Sequence, residues 1–205
     1  MSTDVKSAKH VRSAMFNLPN QLTSLRLLLS IVMFGFVTHD YYLTSFVLFV
    51  IAAGTDWLDG YYARKYGQVT TLGRILDPFA DKVIVCGTFI FLVAIKEMNA
   101  VPWGLRAWMV VVIVGRELLV TALRSFIEDR GSDFSAKMSG KLKMVIQCIA
   151  AGTCLFYLYG KRSQFVCTDD WVWWVLIIFV WSSVALTVYS GLVYIRTAVR
   201  LLRDA

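Results

Sequence analysis

Six apolar runs, each about twenty residues long, divide this chain: roughly 22–38, 41–62, 75–95, 103–126, 140–160 and 171–195. About 20 mainly apolar residues are what a helix needs to cross the hydrocarbon core of a bilayer. Backbone polar groups must also be satisfied inside each segment there, which leaves helices as the form for runs of this kind. The runs fill the sequence and leave no stretch for a separate soluble domain. With 58% hydrophobic and only 17% charged residues, and a mean hydropathy of +0.61, the composition agrees. The expected fold is an all-α integral membrane protein: six transmembrane helices in one membrane domain, residues 20–205, after an amphipathic juxtamembrane segment at 1–19. Within that segment, Val11, Met15 and Leu18 recur at helical spacing while Lys6, Lys9, His10 and Arg12 are polar. This is the pattern of a helix lying on the membrane surface; a solvated basic tail is the plainer alternative.

The net charge of +7 could suggest a nucleic-acid partner, but no aromatic-interleaved basic patch or zinc-ligand spacing accompanies it. Lys and Arg instead crowd alternate ends of the apolar runs. Lys6, Lys9 and Arg12 precede the first run; Arg64, Lys65 and Arg74 lie between the second and third. Arg124, Arg130, Lys137, Lys141 and Lys143 lie around the fourth-to-fifth connection, and Arg196, Arg200 and Arg203 follow the last. The positive-inside rule puts these ends, and both termini, in the cytoplasm. Trp103, Trp108, Trp171, Trp173, Trp174 and Trp181 gather near the opposite ends, as an interfacial aromatic belt does. Cys86, Cys148 and Cys154 fall within the runs and read as small core residues; Cys167 lies in an outward loop without an obvious partner. No cleavable signal pattern precedes the first run, so that helix is expected to do the targeting. Pro19 should turn the chain, Asn20 or Thr23 should cap the first helix, and Arg26, one turn in, either snorkels to the headgroups or serves a site.

Four carboxylates interrupt this apolar sequence at fixed spacing: Asp56 and Asp59 at the end of the second run, Asp77 and Asp81 at the start of the third. A charge at membrane depth costs about 2.5–3.5 kcal/mol on insertion scales and usually marks a function. Residues three and four apart share a helix face, so each pair projects together. The short connection, with Gly67 helping to stop one helix and Pro78 expected in the first turn of the next, makes the two helices antiparallel neighbours. Four clustered carboxylates need compensating cations to stay ionised. Two Mg²⁺ (or Mn²⁺) ions on oxygen ligands would balance them, in an arrangement suited to clamping attacking and leaving oxygens at phosphorus. Gly60, Ala63 and Gly73 remove bulk beside the acids, which suits either helix packing or the approach of a nucleotide. Arg64 suits phosphate oxygens or a positive-inside anchor.

The eight defined positions of D-x2-D-G-x2-A-R-x8-G-x3-D-x3-D, from Asp56 to Asp81, resemble the signature of the CDP-alcohol phosphotransferase family. Asn17–Thr23, Gly115-Arg116-Glu117 with Arg124, and Gly140-Lys141-Leu142-Lys143 are similar to segments of its phosphatidylglycerophosphate synthase branch. The resemblance implies a six-helix, usually homodimeric enzyme of the bacterial cytoplasmic membrane, with its active site open to the cytoplasm and the lipid. It implies that Asp56, Asp59 and Asp77 hold two divalent ions, with Asp81 a further ligand and the general base. Gly60, Ala63, Arg64, Thr70 and Gly73 would surround the cytidine diphosphate of CDP-diacylglycerol, with Asn20 and Thr23 reaching it from the first helix. Spacing alone does not decide which acid is the base.

Arg116, Arg124, Lys141 and Lys143 would suit a dianionic acceptor such as glycerol 3-phosphate, the acceptor the branch resemblance also implies. Arg116 and Arg124, eight apart, fall near one helical face. For Arg116 the alternative is an ion pair with Glu117, and for the two lysines a membrane anchor. Inositol phosphate satisfies the same charge argument; serine, a lipid alcohol or water would use the same acid chemistry. A membrane prenyltransferase would separate its acids on two distant segments. A cation transporter, the non-enzyme reading, would be expected to show inverted repeats and broken helices, and no repeat is visible.

Overall fold

The computed structural model describes residues 18–66, 71–128, 138–163 and 170–203. Within the helices, the side chains of residues 18–20, 56–66, 71–75, 126, 128, 138–141, 170 and 202 lie outside that description. The described residues form seven helices and no strand: α1 Leu18–Thr38, α2 Tyr42–Tyr66, α3 Thr71–Ala94, α4 Lys96–Asn99, α5 Ala107–Glu128, α6 Met138–Ser163 and α7 Asp170–Arg203. The surface-lying segment expected at the N-terminus falls on residues outside the description.

Three of these helices are long and apolar enough to cross a membrane: Gln21–Thr38 in α1, Leu142–Ser163 in α6 and Trp171–Leu201 in α7. In α2 the described apolar stretch, Tyr42–Thr55, is shorter. Charge rather than length holds back two others, since α3 carries Asp77, Asp81 and Lys82, and α5 carries Arg116, Glu117 and Arg124. Large apolar side chains stand exposed along these helices, among them Leu28, Ile31, Val50, Val111, Ile178 and Val199. Exposed apolar side chains repeated along long apolar helices are what lipid covers.

The chain divides into two units, residues 1–87 and 88–205. In the first, α1 packs on α2. The buried face of α1 runs through Thr23, Arg26, Ser30, Met33 and Val37, and that of α2 through Tyr42, Ser45, Phe49 and Ala52. Both follow the three-and-four spacing of a helical stripe, and the α1 stripe is polar toward its N-terminal end. Ser30 and Ser45 return their hydroxyls to the carbonyls four residues back, at 2.8 and 2.9 Å, which satisfies them without a partner helix. Between α1 and α2, Asp40 adopts φ 63° and accepts from the Tyr42 hydroxyl at 2.8 Å; Asp is among the residues that tolerate this left-handed turn. A Cβ on Gly87 of α3 would lie 2.3 Å from the ring of Phe34 of α1. Gly87→Ala should therefore displace that ring and lower stability by about 1–3 kcal/mol, read as a drop in the thermal unfolding temperature in detergent.

Three local expectations change. The first helix begins at Leu18, so Asn20 and Thr23 lie within it rather than at its cap, and Pro19 occupies its first turn, where a missing N–H costs nothing. Helix α3 begins at Thr71, which places Pro78 inside it rather than in the first turn; the ring removes the N–H that would bond the Arg74 carbonyl. And α4 is a single turn between the third and fourth long helices, held by the buried Met98.

In the second unit α7 packs against both α5 and α6. Its buried stripe is Val172, Leu176, Val180, Ser183, Thr187, Ser190, Tyr194 and Ala198. Small residues at 183, 187, 190 and 191 let helices approach closely, and Gln147 of α6 donates to Thr187 Oγ1 at 3.0 Å. Trp103, at φ 59°, is strongly exposed, and its carbonyl accepts from Trp181 Nε1 at 2.9 Å. Trp181 also meets Trp108 edge to face, so three of the expected belt tryptophans come together. Cys86 and Cys154 are buried and Cys148 is half-buried, none of the three in a disulfide, and Cys167 falls outside the description.

Candidate functional site

Two groups of ionisable side chains occupy the otherwise apolar helices, one in each unit. The first is built on α3. Asp77 and Asp81, one turn apart, present their carboxylates on one face, and α1 supplies a donor to each. The Thr23 hydroxyl donates to Asp77 Oδ1 at 2.5 Å, and Arg26 Nη1 donates to Asp81 Oδ1 at 2.8 Å. Because Thr23 and Arg26 are also one helical turn apart, the two bonds form parallel rungs between α1 and α3. Arg26 is 1% exposed and Asp81 26%. The buried guanidinium is turned onto Asp81, which favours compensation of that acid over snorkelling. On the open side, Lys82 Nζ bonds the Pro78 carbonyl.

The acids of the second predicted helix fall on α2, whose backbone is helical through Tyr66. The side chains of Asp56, Asp59, Gly60, Ala63, Arg64 and Gly73, and all of Thr70, lie outside the described residues, as does the side chain of Asn20. Among the described residues no group of three or more His, Cys, Asp or Glu stands close enough to hold a metal ion. The described half of the constellation has the chemistry of a hard-cation site: two carboxylates one turn apart, partly accessible and held by neutral and cationic donors.

The second group lies in the other unit. Glu117 of α5 accepts from Lys143 Nζ of α6 and from Arg116 Nη1, at 3.3 and 3.5 Å to its two oxygens. Arg116 is 9% exposed and its guanidinium lies over the Tyr194 ring of α7, 5.3 Å from the centroid. Lys143 is buried as well, which sets aside the membrane-anchor reading for it. The Nε atoms of Arg116 and Arg124 are both buried with no hydrogen-bond partner. Two described cations, Arg116 and Lys143, thus bond Glu117, and the Nε donors of Arg116 and Arg124 remain unfilled. Buried polar groups are normally paired, so these donors could accommodate an anion. Lys141 has its side chain outside the description. Tyr194 is the residue that sequence reasoning missed; Arg26 had been singled out as a lone cation in an apolar run, though not for Asp81.

The similarity of this chain to known proteins is consistent along its length. The model of the CDP-alcohol phosphatidyltransferase family matches residues 16–189. A Bacillus subtilis protein named CDP-diacylglycerol–glycerol-3-phosphate 3-phosphatidyltransferase is 36% identical, covering 88% of this chain and 94% of its own. Proteins of the same name from Haemophilus influenzae and Pseudomonas fluorescens are 31% and 34% identical; each covers 89% of this chain, and 94% and 90% of its own length respectively. The match takes in both the acid pair on α3 and the cationic group on α5 and α6, and this chain belongs to the CDP-alcohol phosphatidyltransferase family.

Proposed function

We propose that this protein transfers the phosphatidyl group of CDP-diacylglycerol to glycerol 3-phosphate, giving phosphatidylglycerol phosphate and CMP. The relatives of that name support the reaction. The observation that carries the acceptor is the pair of buried, unpartnered guanidinium Nε atoms of Arg116 and Arg124 on α5. Paired guanidinium donors suit the planar oxygens of a phosphate monoester.

In this reading Asp56, Asp59 and Asp77, with Asp81, hold two divalent ions, Mg²⁺ or Mn²⁺. Bound there, such ions would neutralise charge on the diphosphate and lower the pKa of the acceptor hydroxyl. Asp81 takes the proton of the acceptor's hydroxyl. The resulting oxygen attacks the phosphorus that bears diacylglycerol, the bond from that phosphorus to the CMP oxygen breaks, and CMP leaves. Asn20, Thr23, Gly60, Ala63, Arg64, Thr70 and Gly73 surround the cytidine diphosphate. Arg116, Arg124, Lys141 and Lys143 hold the acceptor phosphate. The protein is a homodimer of a bacterial cytoplasmic membrane, with six spans formed by α1, α2, α3, α5, α6 and α7, and its termini and site on the cytoplasmic side. The charge bias of the connecting segments supports that orientation.

Purified protein given CDP-diacylglycerol and Mg²⁺ should release CMP only when glycerol 3-phosphate is present, and chelation should stop the release. Equal release without any acceptor would mean hydrolysis, and release restored by inositol phosphate or serine instead would reassign the acceptor.

A further inference from the structure

We infer that the last helix sets the affinity for the acceptor phosphate by fixing the guanidinium of Arg116 through Tyr194 and Gly191, two uncharged positioning residues. The inference rests on the reading of Arg116 as an acceptor-binding residue. Arg116 stands on α5, buried to 9% exposure, and its one hydrogen-bond partner among the described residues is its neighbour Glu117, at 3.3 Å and beyond. Adjacent residues on a helix do not face each other, so Glu117 is a poor clamp for Arg116. The stronger constraints come from α7. The guanidinium carbon lies 5.3 Å from the Tyr194 ring centroid, inside the range of a cation–π contact. The Arg116 stem lies so near α7 that a Cβ on Gly191 would sit 3.2 Å from Cγ, and Gly191 is itself buried.

The contact with Tyr194 leaves guanidinium N–H donors available, of which Nε is buried and unpartnered. A phosphate monoester dianion can accept two parallel bonds from the edge of a guanidinium. Glu117, which also accepts from Lys143, ties a second cation from α6 to the same place. Helices α5, α6 and α7 therefore meet at a preorganised receptor for a small phosphomonoester dianion, and α7 contributes its geometry without contributing charge. Tyr194 also packs with Val120, Ile127 and Ala198, so the test must separate orientation from packing.

The test is titration of the detergent-purified full chain with glycerol 3-phosphate and, separately, with inorganic phosphate, alongside unfolding temperatures and the KM for each substrate. Tyr194→Phe keeps the ring and should keep acceptor affinity. Tyr194→Leu and Gly191→Ala should each weaken acceptor binding about tenfold, ~1.4 kcal/mol at 25 °C, with the KM for CDP-diacylglycerol unchanged. If Tyr194→Leu does not fold, Gly191→Ala decides alone. Folded variants that bind the acceptor like the wild type, or that raise both KM values in parallel, overturn the inference. Wild-type protein that binds neither anion overturns it too, whereas failure of the proposed reaction would show separately, as CMP release indifferent to glycerol 3-phosphate.

Discussion

Asp81→Asn should cut CMP release by about 10³-fold, within the range a positioned general base contributes, while the protein still folds and binds CDP-diacylglycerol. The choice of asparagine follows from the partner on α1. Arg26 is 1% exposed and donates to Asp81 Oδ1 at 2.8 Å. An amide oxygen at the same place continues to accept that bond, so the variant removes basicity and charge but keeps the contact. Alanine would leave a buried guanidinium uncompensated, at a cost of about 3–5 kcal/mol. That is a large fraction of the roughly 5–15 kcal/mol that holds a domain together, and lost folding would masquerade as lost chemistry. The measurement is CMP release at saturating acceptor, with the unfolding temperature and CDP-diacylglycerol binding followed in the same preparation. Turnover by Asp81→Asn at the wild-type rate would take the base assignment away from Asp81.

The six long helices were legible because each carries its own apolar run. The run at 22–38 became Leu18–Thr38, and the run at 140–160 became Met138–Ser163. Their ends were less legible, because a helix outlasts its apolar stretch wherever water or headgroups accept charged side chains. Helix α7 extends to Arg203 past the run ending near 195, and Ala198 is still buried there. Helix α5 starts at Ala107 rather than 103 because Trp103 sits in a left-handed turn that hydropathy does not register. Whether a helix crosses the bilayer is a further question, and here only α1, α6 and α7 qualify on composition among the described residues.

At the site, carboxylate spacing announced Asp77 and Asp81, since i,i+4 acids in an apolar run have few bland explanations. What donates to them was hidden, because the bonds join positions 54 and 55 residues apart and no local pattern encodes such a pairing. Thr23 was singled out for a substrate and is found on Asp77. The cations at 116, 124 and 143 were legible as charges, but Tyr194 was not. A tyrosine on an apolar stripe looks like core until the guanidinium above it is seen.

Arg26→Met should lower turnover about 10²-fold while leaving the KM for glycerol 3-phosphate unchanged, and Arg26→Lys should fall between it and the wild type. The direction comes from what each side of the pair loses. Methionine in the buried position is apolar and of similar length, so the vacated site costs little. Asp81, 26% exposed, recovers water for what it gives up. Stability therefore changes far less than when the acid is removed, and the effect falls on orientation. Without the guanidinium, Asp81 loses one of its constraints near the reacting hydroxyl, and a displacement of about 1 Å at a reacting group is enough to cost on the order of 10²-fold. Lysine restores the charge but not the planar fork, which is why it should rescue only in part. Thr23 still bonds Asp77 in either variant, so the rung beside it holds α1 near α3 and the loss stays specific to Asp81. Single-turnover CMP release, compared with the unfolding temperature of each variant, separates the cases. A fall in unfolding temperature with an undiminished rate in the folded fraction would make Arg26 a strut between α1 and α3 and nothing more.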